Sequence, residues 1–116
     1  MKNAVVIKVN DLALCENFYR DVLKLGAPET HSSFATVFRL GEESELWLIK
    51  TTAPFLEHGS SASSWSFSTG DMAALAKSLE HAGYPLSDET FHLGCHLCRR
   101  GSDPENNPFY VMEENK

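Results

Sequence analysis

The sequence predicts an α+β fold built from two tandem βαβββ modules, whose helices cover the outer faces of a curved mixed sheet. The order of a short apolar strand, an amphipathic helix and three further strand segments occurs twice along the chain. Asp11 and Asp71 each stand at the position of a helix N-cap. Gly26 and Gly83 each follow the expected helix, where a left-handed residue is favoured. These shared features indicate an internal duplication.

The 116 residues are enough for one domain, 1–116, with one buried core. The first module is predicted over 1–54 and the second over 64–116. Between them, 55–63 is polar and rich in Ser, which is typical of a linker.

In the first module, Ala4–Val9 is apolar and β-branched, as expected for a strand. Helical spacing of apolar residues follows Asp11 and continues to Leu23. Three short strands are then predicted at 29–32, 34–40 and 45–50, separated by polar turns.

The second module repeats this order. Trp65–Thr69 is predicted as a strand, and a helix follows from Met72 to Ala82. Three strands are expected after it, at 86–91, 95–100 and 108–112.

The last of these strands follows a strong turn signal. Asp103 can accept hydrogen bonds from nearby backbone, Pro104 presets φ, and Asn106 or Asn107 tolerates a left-handed conformation. In each module, one face of the sheet would pack its helix and the other would line a concave surface, so alternating residues divide into a structural set and a cavity set.

Composition excludes several classes of function. The net charge of −6 disfavours nucleic acid as a partner, because phosphate binding needs a basic surface. No apolar run approaches the roughly 20 residues that span a bilayer, and the first residues lack a signal-peptide core, so no membrane association is expected. Three cysteines do not form a disulfide framework, which favours the cytoplasm.

Three segments carry a resemblance to a known family: 9–12 (Val-Asn-Asp-Leu), 18–26 (Phe-Tyr-Arg-Asp-Val-Leu-Lys-Leu-Gly) and 103–108 (Asp-Pro-Glu-Asn-Asn-Pro). Together they resemble the vicinal oxygen chelate superfamily, which includes glyoxalase I, the bleomycin-resistance proteins, thiol transferases that inactivate fosfomycin, and extradiol dioxygenases. The resemblance covers nearly the whole chain and implies the fold of that superfamily.

Enzymes of this superfamily bind a divalent metal through His, Glu or Gln on the first and last strands of each module. The resemblance transfers those positions to Ala4, to Trp47 or a neighbour, to Ser64 or Trp65, and to Tyr110. Ala, Trp and Ser are poor ligands for a catalytic metal, and Tyr is an uncommon one. No metal, no cofactor and no catalytic residue are therefore expected, and the resemblance is strongest to the bleomycin-resistance proteins that bind a ligand without a metal.

The residues at these positions suggest a binding role instead. Aromatic side chains attract planar or cationic ligands, so a groove binding a small aromatic or cationic molecule is predicted. The expected ligand-binding residues are Trp47, Trp65, Tyr110, Phe34, Phe38 and Lys8. Both tryptophans could equally fill the core. The resemblance also implies a homodimer that sequesters an antibiotic or metabolite.

Two alternatives remain open at this point. A metal-dependent lyase, thiol transferase or dioxygenase with relocated ligands would draw on His92, His96, Cys98 or Glu45. Strand geometry weighs against chelation by Cys95 and Cys98, because residues three apart point to opposite faces. A filled groove serving only dimerisation or partner binding is the second alternative.

Overall fold

A computed structural model describes residues 3–52 and 65–113, and for residue 3 it describes the backbone alone. The chain divides into two compact units, Met1–Ser63 and Ser64–Lys116. The predicted linker, 55–63, lies outside the described residues.

The first unit contains a four-stranded mixed sheet with one helical segment. Its order is β1-β4-β3-β2, in which β1 and β4 run parallel and the other neighbours are antiparallel. The elements are β1 (Asn3–Val9), α1 (Leu12–Asn17), β2 (Thr30–His31), β3 (Ala35–Arg39) and β4 (Ser44–Lys50).

The second unit has the same topology, with strand order β5-β8-β7-β6 and a parallel pair formed by β5 and β8. Its elements are β5 (Trp65–Thr69), α2 (Met72–His81), β6 (Phe91–Leu93), β7 (His96–Ser102) and β8 (Pro108–Glu113). The predicted α+β fold of repeated βαβββ modules is thus confirmed.

One predicted strand, 86–91, is wrong, because β6 begins only at Phe91. Leu86 is buried instead, and apart from the bond from the Ser87 N–H to the Arg100 carbonyl, the backbone around it bonds to side chains. Arg99 Nε donates to the carbonyl of Ser87 over 2.8 Å, and the Ser87 hydroxyl accepts from the backbone N–H of Arg100. These bonds occupy groups that a strand would have paired.

The predicted caps are confirmed in both units. Asp11 Oδ1 accepts from the N–H of Leu14 over 3.1 Å, and Asp71 Oδ1 accepts from the N–H of Ala74 over 3.0 Å. Each bond satisfies one of the donors that a helix start leaves unpaired. Gly26 and Gly83 have φ of 84° and 93°, the left-handed conformation expected after each helix.

The first helix differs from the regular one predicted, because α1 gives way to a π-helix over Phe18–Val22. The N–H of Leu23 bonds to the carbonyl of Phe18, the wider spacing that defines this helix. Phe18 and Tyr19 are both buried, and their rings meet edge to face with centroids 5.2 Å apart. The wider turn accompanies the burial of two consecutive aromatic residues.

Each sheet buries the face that its helix covers. Alternation along the strands places every second side chain on that face, and these side chains form the core of each unit. In the first unit they are Ile7, Val9, Phe38, Leu46 and Leu48, and in the second they are Trp65, Phe109 and Val111, with Met72, Leu79 and Leu86 packed in the same core. In the stretches 3–52 and 65–113, no helix is long and apolar enough to cross a membrane.

Candidate functional site

The face of each sheet opposite its helix is called here its open face. On the open face of the second unit lies a cavity of about 300 Å³, called the Tyr110 cavity. It is lined by Ser66 of β5, Phe91 and Leu93 of β6, Cys98 of β7, and Tyr110 and Met112 of β8. All four strands of this sheet contribute to its wall, so the fold of the unit itself shapes the cavity.

Tyr110 lies at the centre of this face because of its register. It pairs with Ser66 on one side and with Arg100 on the other. Its ring meets that of Phe91 edge to face, with centroids 5.9 Å apart and planes at 84°. This geometry is favourable for aromatic pairs, and it leaves a half-buried phenol beside an apolar wall.

The turn before β8 holds Tyr110 in this register. Asp103 is 2% exposed, and its Oδ1 accepts from the N–H groups of Glu105 and Asn107, each over 2.8 Å. Asn106 has φ of 65°, as the turn signal predicts. A buried carboxylate bonded to its own turn fixes where β8 begins, and therefore which residues of β8 face the cavity.

The open face of the first unit carries a different aromatic residue. Trp47 is 37% exposed, and its Nε1 donates to Glu45 Oε1 over 3.1 Å. Val6 and Val37 flank it on the neighbouring strands. Lys8 lies on the same face, because it alternates with the buried Ile7 and Val9. An indole beside a carboxylate is suited to a cationic group.

Three further residues predicted to bind the ligand are either buried in a core or lie outside the strands. Trp65 is 5% exposed and packs against Phe67 and Phe109, with centroids 5.0 and 6.3 Å away. Phe38 is buried, with its ring 6.5 Å from that of Tyr19. For Trp65 and Phe38 the structure favours packing in the core. Phe34 is exposed just before β3 begins.

Phe91, Leu93 and Met112 of the Tyr110 cavity were not among the predicted residues. Met112 shares strand parity with Tyr110, so the alternation of β8 was a signal that could have identified it. Phe91 and Leu93 had no such signal, because the strand that carries them was predicted too early in the chain.

The positions predicted from the resemblance as metal-ligand positions hold side chains that do not fit a divalent ion. Ala4 offers no ligand atom, Trp47 donates its N–H to Glu45, and Tyr110 faces an apolar wall. Ser64 lies outside the described residues. Within 3–52 and 65–113, no group of three or more His, Cys, Asp or Glu side chains could hold a metal ion.

The segment around Cys98 does not assemble a ligand set either. His92 and His96 belong to opposite faces of the sheet, because they pair with Leu97 and Leu93 in the antiparallel register. Cys98 is fully buried, whereas Cys95 is exposed in the turn between β6 and β7. His92, His96 and Cys98 therefore do not come together as one ligand set.

The similarities of this chain to known proteins are similarities of structure. No protein-family model matches the sequence, and no curated protein matches it. An integron cassette protein from the mobile metagenome of V. cholerae is similar, with a TM-score of 0.80 and 17% identity over 99% of this chain and 95% of the other.

Two further solved structures are similar over nearly their whole lengths. A lactoylglutathione lyase from Agrobacterium tumefaciens has a TM-score of 0.72 and 21% identity, over 97% of this chain and 92% of its own. A glyoxalase/bleomycin resistance protein from Catenulispora acidiphila has a TM-score of 0.72 and 14% identity, over 99% of each chain. Identities this low establish the fold alone. The chain has the fold of the vicinal oxygen chelate superfamily, shared by glyoxalases and bleomycin resistance proteins.

Proposed function

We propose that this protein binds a small aromatic or cationic molecule without a metal and sequesters it. The observation that carries the proposal is the Tyr110 cavity, an apolar pocket of about 300 Å³ on the sheet face opposite α2. Pockets of this volume, with apolar walls and a few polar groups, are typical of small-molecule sites.

The lining of the cavity favours a planar aromatic ligand. Phe91 and Leu93 provide large exposed apolar surfaces, which a flat ring system would remove from water. The edge-to-face pair of Phe91 and Tyr110 offers ring faces for stacking. The Ser66 hydroxyl and the Tyr110 phenol are the polar groups that would orient such a ligand.

A cationic ligand would find its partner on the open face of the first unit. Trp47 and Glu45 lie there within hydrogen-bonding distance of each other, and both would attract a positive group, against the charge of Lys8 on the same face. Arg100 sits directly beside Tyr110 in the sheet register, which disfavours a cation in the Tyr110 cavity. The two open faces therefore favour different parts or classes of ligand.

Sequestration, rather than turnover, is the role that best fits the lining. The donor groups of the Tyr110 cavity include no carboxylate and no histidine, the groups most used for general acid–base catalysis. A similar protein is described as a glyoxalase/bleomycin resistance protein, which supports capture of an antibiotic or a metabolite. A homodimer in the cytoplasm is part of the same proposal, and free thiols at Cys15, Cys95 and Cys98 are compatible with that compartment.

The proposal is tested by titrating the ¹⁵N-labelled protein with a panel of planar aromatic compounds in neutral, cationic and anionic forms, such as naphthalene and acridine derivatives. We expect saturable shifts at residues of β6, β7 and β8. Tyr110→Ala should weaken the affinity by about tenfold, because one stacking and packing contact of about 1.4 kcal/mol is removed.

Trp47→Ala is the matched control, since it removes an aromatic side chain from the other open face. It should leave binding at the Tyr110 cavity unchanged and should weaken only compounds that carry a positive charge. Absence of saturable binding by any compound of the panel, with the protein folded, would contradict the proposed function.

A further inference from the structure

We infer that the first unit contains a second binding site, for a small oxyanion such as a carboxylate or a phosphate group. It lies between α1 and the turn that joins β2 to β3, where the structure has a cavity of about 510 Å³. Lys50, His31, Ser33 and Leu12 are among its lining residues. This cavity is called here the Lys50 cavity.

A buried glutamate positions the imidazole of this site. Glu16 is 9% exposed, and its Oε1 accepts from the Thr36 hydroxyl over 2.7 Å and contacts His31 Nδ1 at 2.5 Å. Arg20 Nη1 donates to Oε2 of the same carboxylate over 3.5 Å. Donors thus surround the carboxylate, as an ionised group that only accepts requires.

The proton of the His31 contact therefore resides on Nδ1, and this assigns the role of the other ring nitrogen. Nε2 of His31 is left for the Lys50 cavity; in the neutral ring it accepts a hydrogen bond, and in the charged ring it donates one. His31 can therefore offer Nε2 to a ligand in this cavity.

The ammonium group of Lys50 provides the second feature. Lys50 alternates with Leu46 and Leu48, so it lies on the helix-covered face at the end of β4. In the described parts of the chain, no carboxylate lies within ion-pair distance of it. Its half-buried position makes a missing counter-charge more costly than it would be in open solvent.

Two carboxylates, those of Asp11 and Glu16, also line this cavity, and both are already engaged. Asp11 accepts from the N–H of Leu14 as the cap of α1, and Glu16 has the three contacts described above. The binding groups left over are an ammonium and an imidazole nitrogen, which match an oxyanion. Ser32 fixes the turn that carries them, because its hydroxyl accepts from the N–H groups of Phe34 and Ala35.

The test is a pair of ¹⁵N NMR titrations at constant ionic strength, one with inorganic phosphate and one with acetate. Saturable shifts confined to 10–16, 31–33 and 50 in either series are expected. Binding of phosphate alone would identify a phosphate group as the ligand chemistry, and binding of acetate alone a carboxylate. Shifts that do not saturate in either series would overturn the inference.

Two variants and one control keep the result specific. Lys50→Gln should weaken binding by about tenfold or more, because it removes a charged hydrogen bond. His31→Gln should also weaken binding, although Lys50 keeps its charge in this variant. Lys77→Gln, at an exposed residue of α2, changes the net charge equally and should have no effect.

An equal loss of affinity in Lys77→Gln would show unspecific attraction and would refute the site. Circular dichroism establishes that each variant is folded. Since the Lys50 cavity and the Tyr110 cavity belong to different units, Tyr110→Ala should leave phosphate or acetate binding intact. The outcome here is therefore independent of the proposed function.

Discussion

The core of each unit contains an equivalent pair of residues on two neighbouring antiparallel strands. The larger side chain of the pair lies on a different strand in each unit. In the first unit, Phe38 of β3 pairs with Leu46 of β4. In the second, Gly101 of β7 pairs with Phe109 of β8. The parallel partners, Val5 and Trp65, lie at the same distance before the two N-cap aspartates, which makes the positions equivalent.

This exchange explains how one topology accommodates two different cores. The Phe109 ring occupies the space that a side chain at residue 101 would need, because a Cβ there would lie 2.5 Å from two ring atoms of Phe109. Packed cores tolerate substitution when total volume is kept. The two units therefore build this part of the core from different side chains, with the ring on β3 in the first and on β8 in the second.

The open faces differ in another way. Trp47 and Tyr110 are equivalent by register, since they pair with Val6 and Ser66 on the parallel neighbours. The indole of Trp47 is bonded to Glu45, whereas Tyr110 lines an apolar cavity. An aromatic residue at the same position thus lies exposed beside a carboxylate in one unit and in a pocket in the other.

The largest effect is expected for Gly101→Ala. The added Cβ would meet Phe109 Cε1 and Cζ at 2.5 Å and Leu86 Cδ2 at 2.8 Å, inside a buried core. Overpacking of this kind should lower the free energy of unfolding by about 3 kcal/mol. Urea unfolding monitored by circular dichroism measures it.

Combination with Phe109→Leu tests the compensation between the two strands. Phe109→Leu removes the ring atoms that clash, so the loss in the double variant should be smaller than the sum of the two single losses. Additive losses would mean that Gly101 is not matched to Phe109, and the comparison of the two cores would fail.

The next effect concerns the turn that precedes β8. Asp103→Ala removes a buried acceptor of two backbone N–H groups and of the Asn107 side-chain amide. We expect the free energy of unfolding to fall by about 2 kcal/mol, the range for buried hydrogen bonds to a charged group. The same urea experiment measures it, and shifted NMR signals of β8 would report the altered start of the strand.

The corresponding turn of the first unit supplies the control. There the N–H of Leu40 bonds to the carbonyl of Ser44, as that of Asp103 bonds to Asn107, but no carboxylate of the described residues accepts from the backbone of this turn. Leu40→Ala should therefore cost clearly less. Asp103→Asn, which keeps one acceptor oxygen, should fall between the wild type and Asp103→Ala, and a loss as large as that of alanine would argue against this role of the carboxylate oxygens.

Much of the fold could be predicted because its signals are local. Asp11 and Asp71 bond to backbone three residues away, and Gly26 and Gly83 adopt a conformation that their own chemistry favours. The repeated order of elements required only that the same pattern be recognised twice. The π-helix after α1 had no local signal, because it depends on the burial of Phe18 and Tyr19 against the sheet.

The candidate site was less predictable, because it depends on which face of a strand is covered. Trp65 and Tyr110 are both aromatic residues on strands, yet one lies in the core and the other in a cavity. Their roles follow from register across the sheet, which spacing along the sequence does not supply. The contact of Glu16 with His31 joins residues on different elements, so the sequence alone gave no reason to pair them.

The smallest expected effect lies at the end of the first helical segment, where the two units differ again. Arg20 donates from Nε and Nη2 to the two carboxylate oxygens of Asp21 over 3.1 and 3.0 Å, while Glu80 and His81 occupy the matching positions of α2. The hydrogen bond from Arg20 lowers the pKa of Asp21, the nearby positive charge lowers it further, and desolvation acts in the opposite direction. Because the folded-state pKa lies below the unfolded one, the stabilisation is present above the ordinary pKa of an aspartate. It is lost as the pH falls through the lowered value.

Asp21→Asn should thus shift the urea midpoint slightly downward at neutral pH and not at all in strong acid. Asp88→Asn is the control, because it removes another exposed carboxylate. A shift that persists in acid would assign the effect to packing rather than to the ion pair, which is exposed and therefore weak.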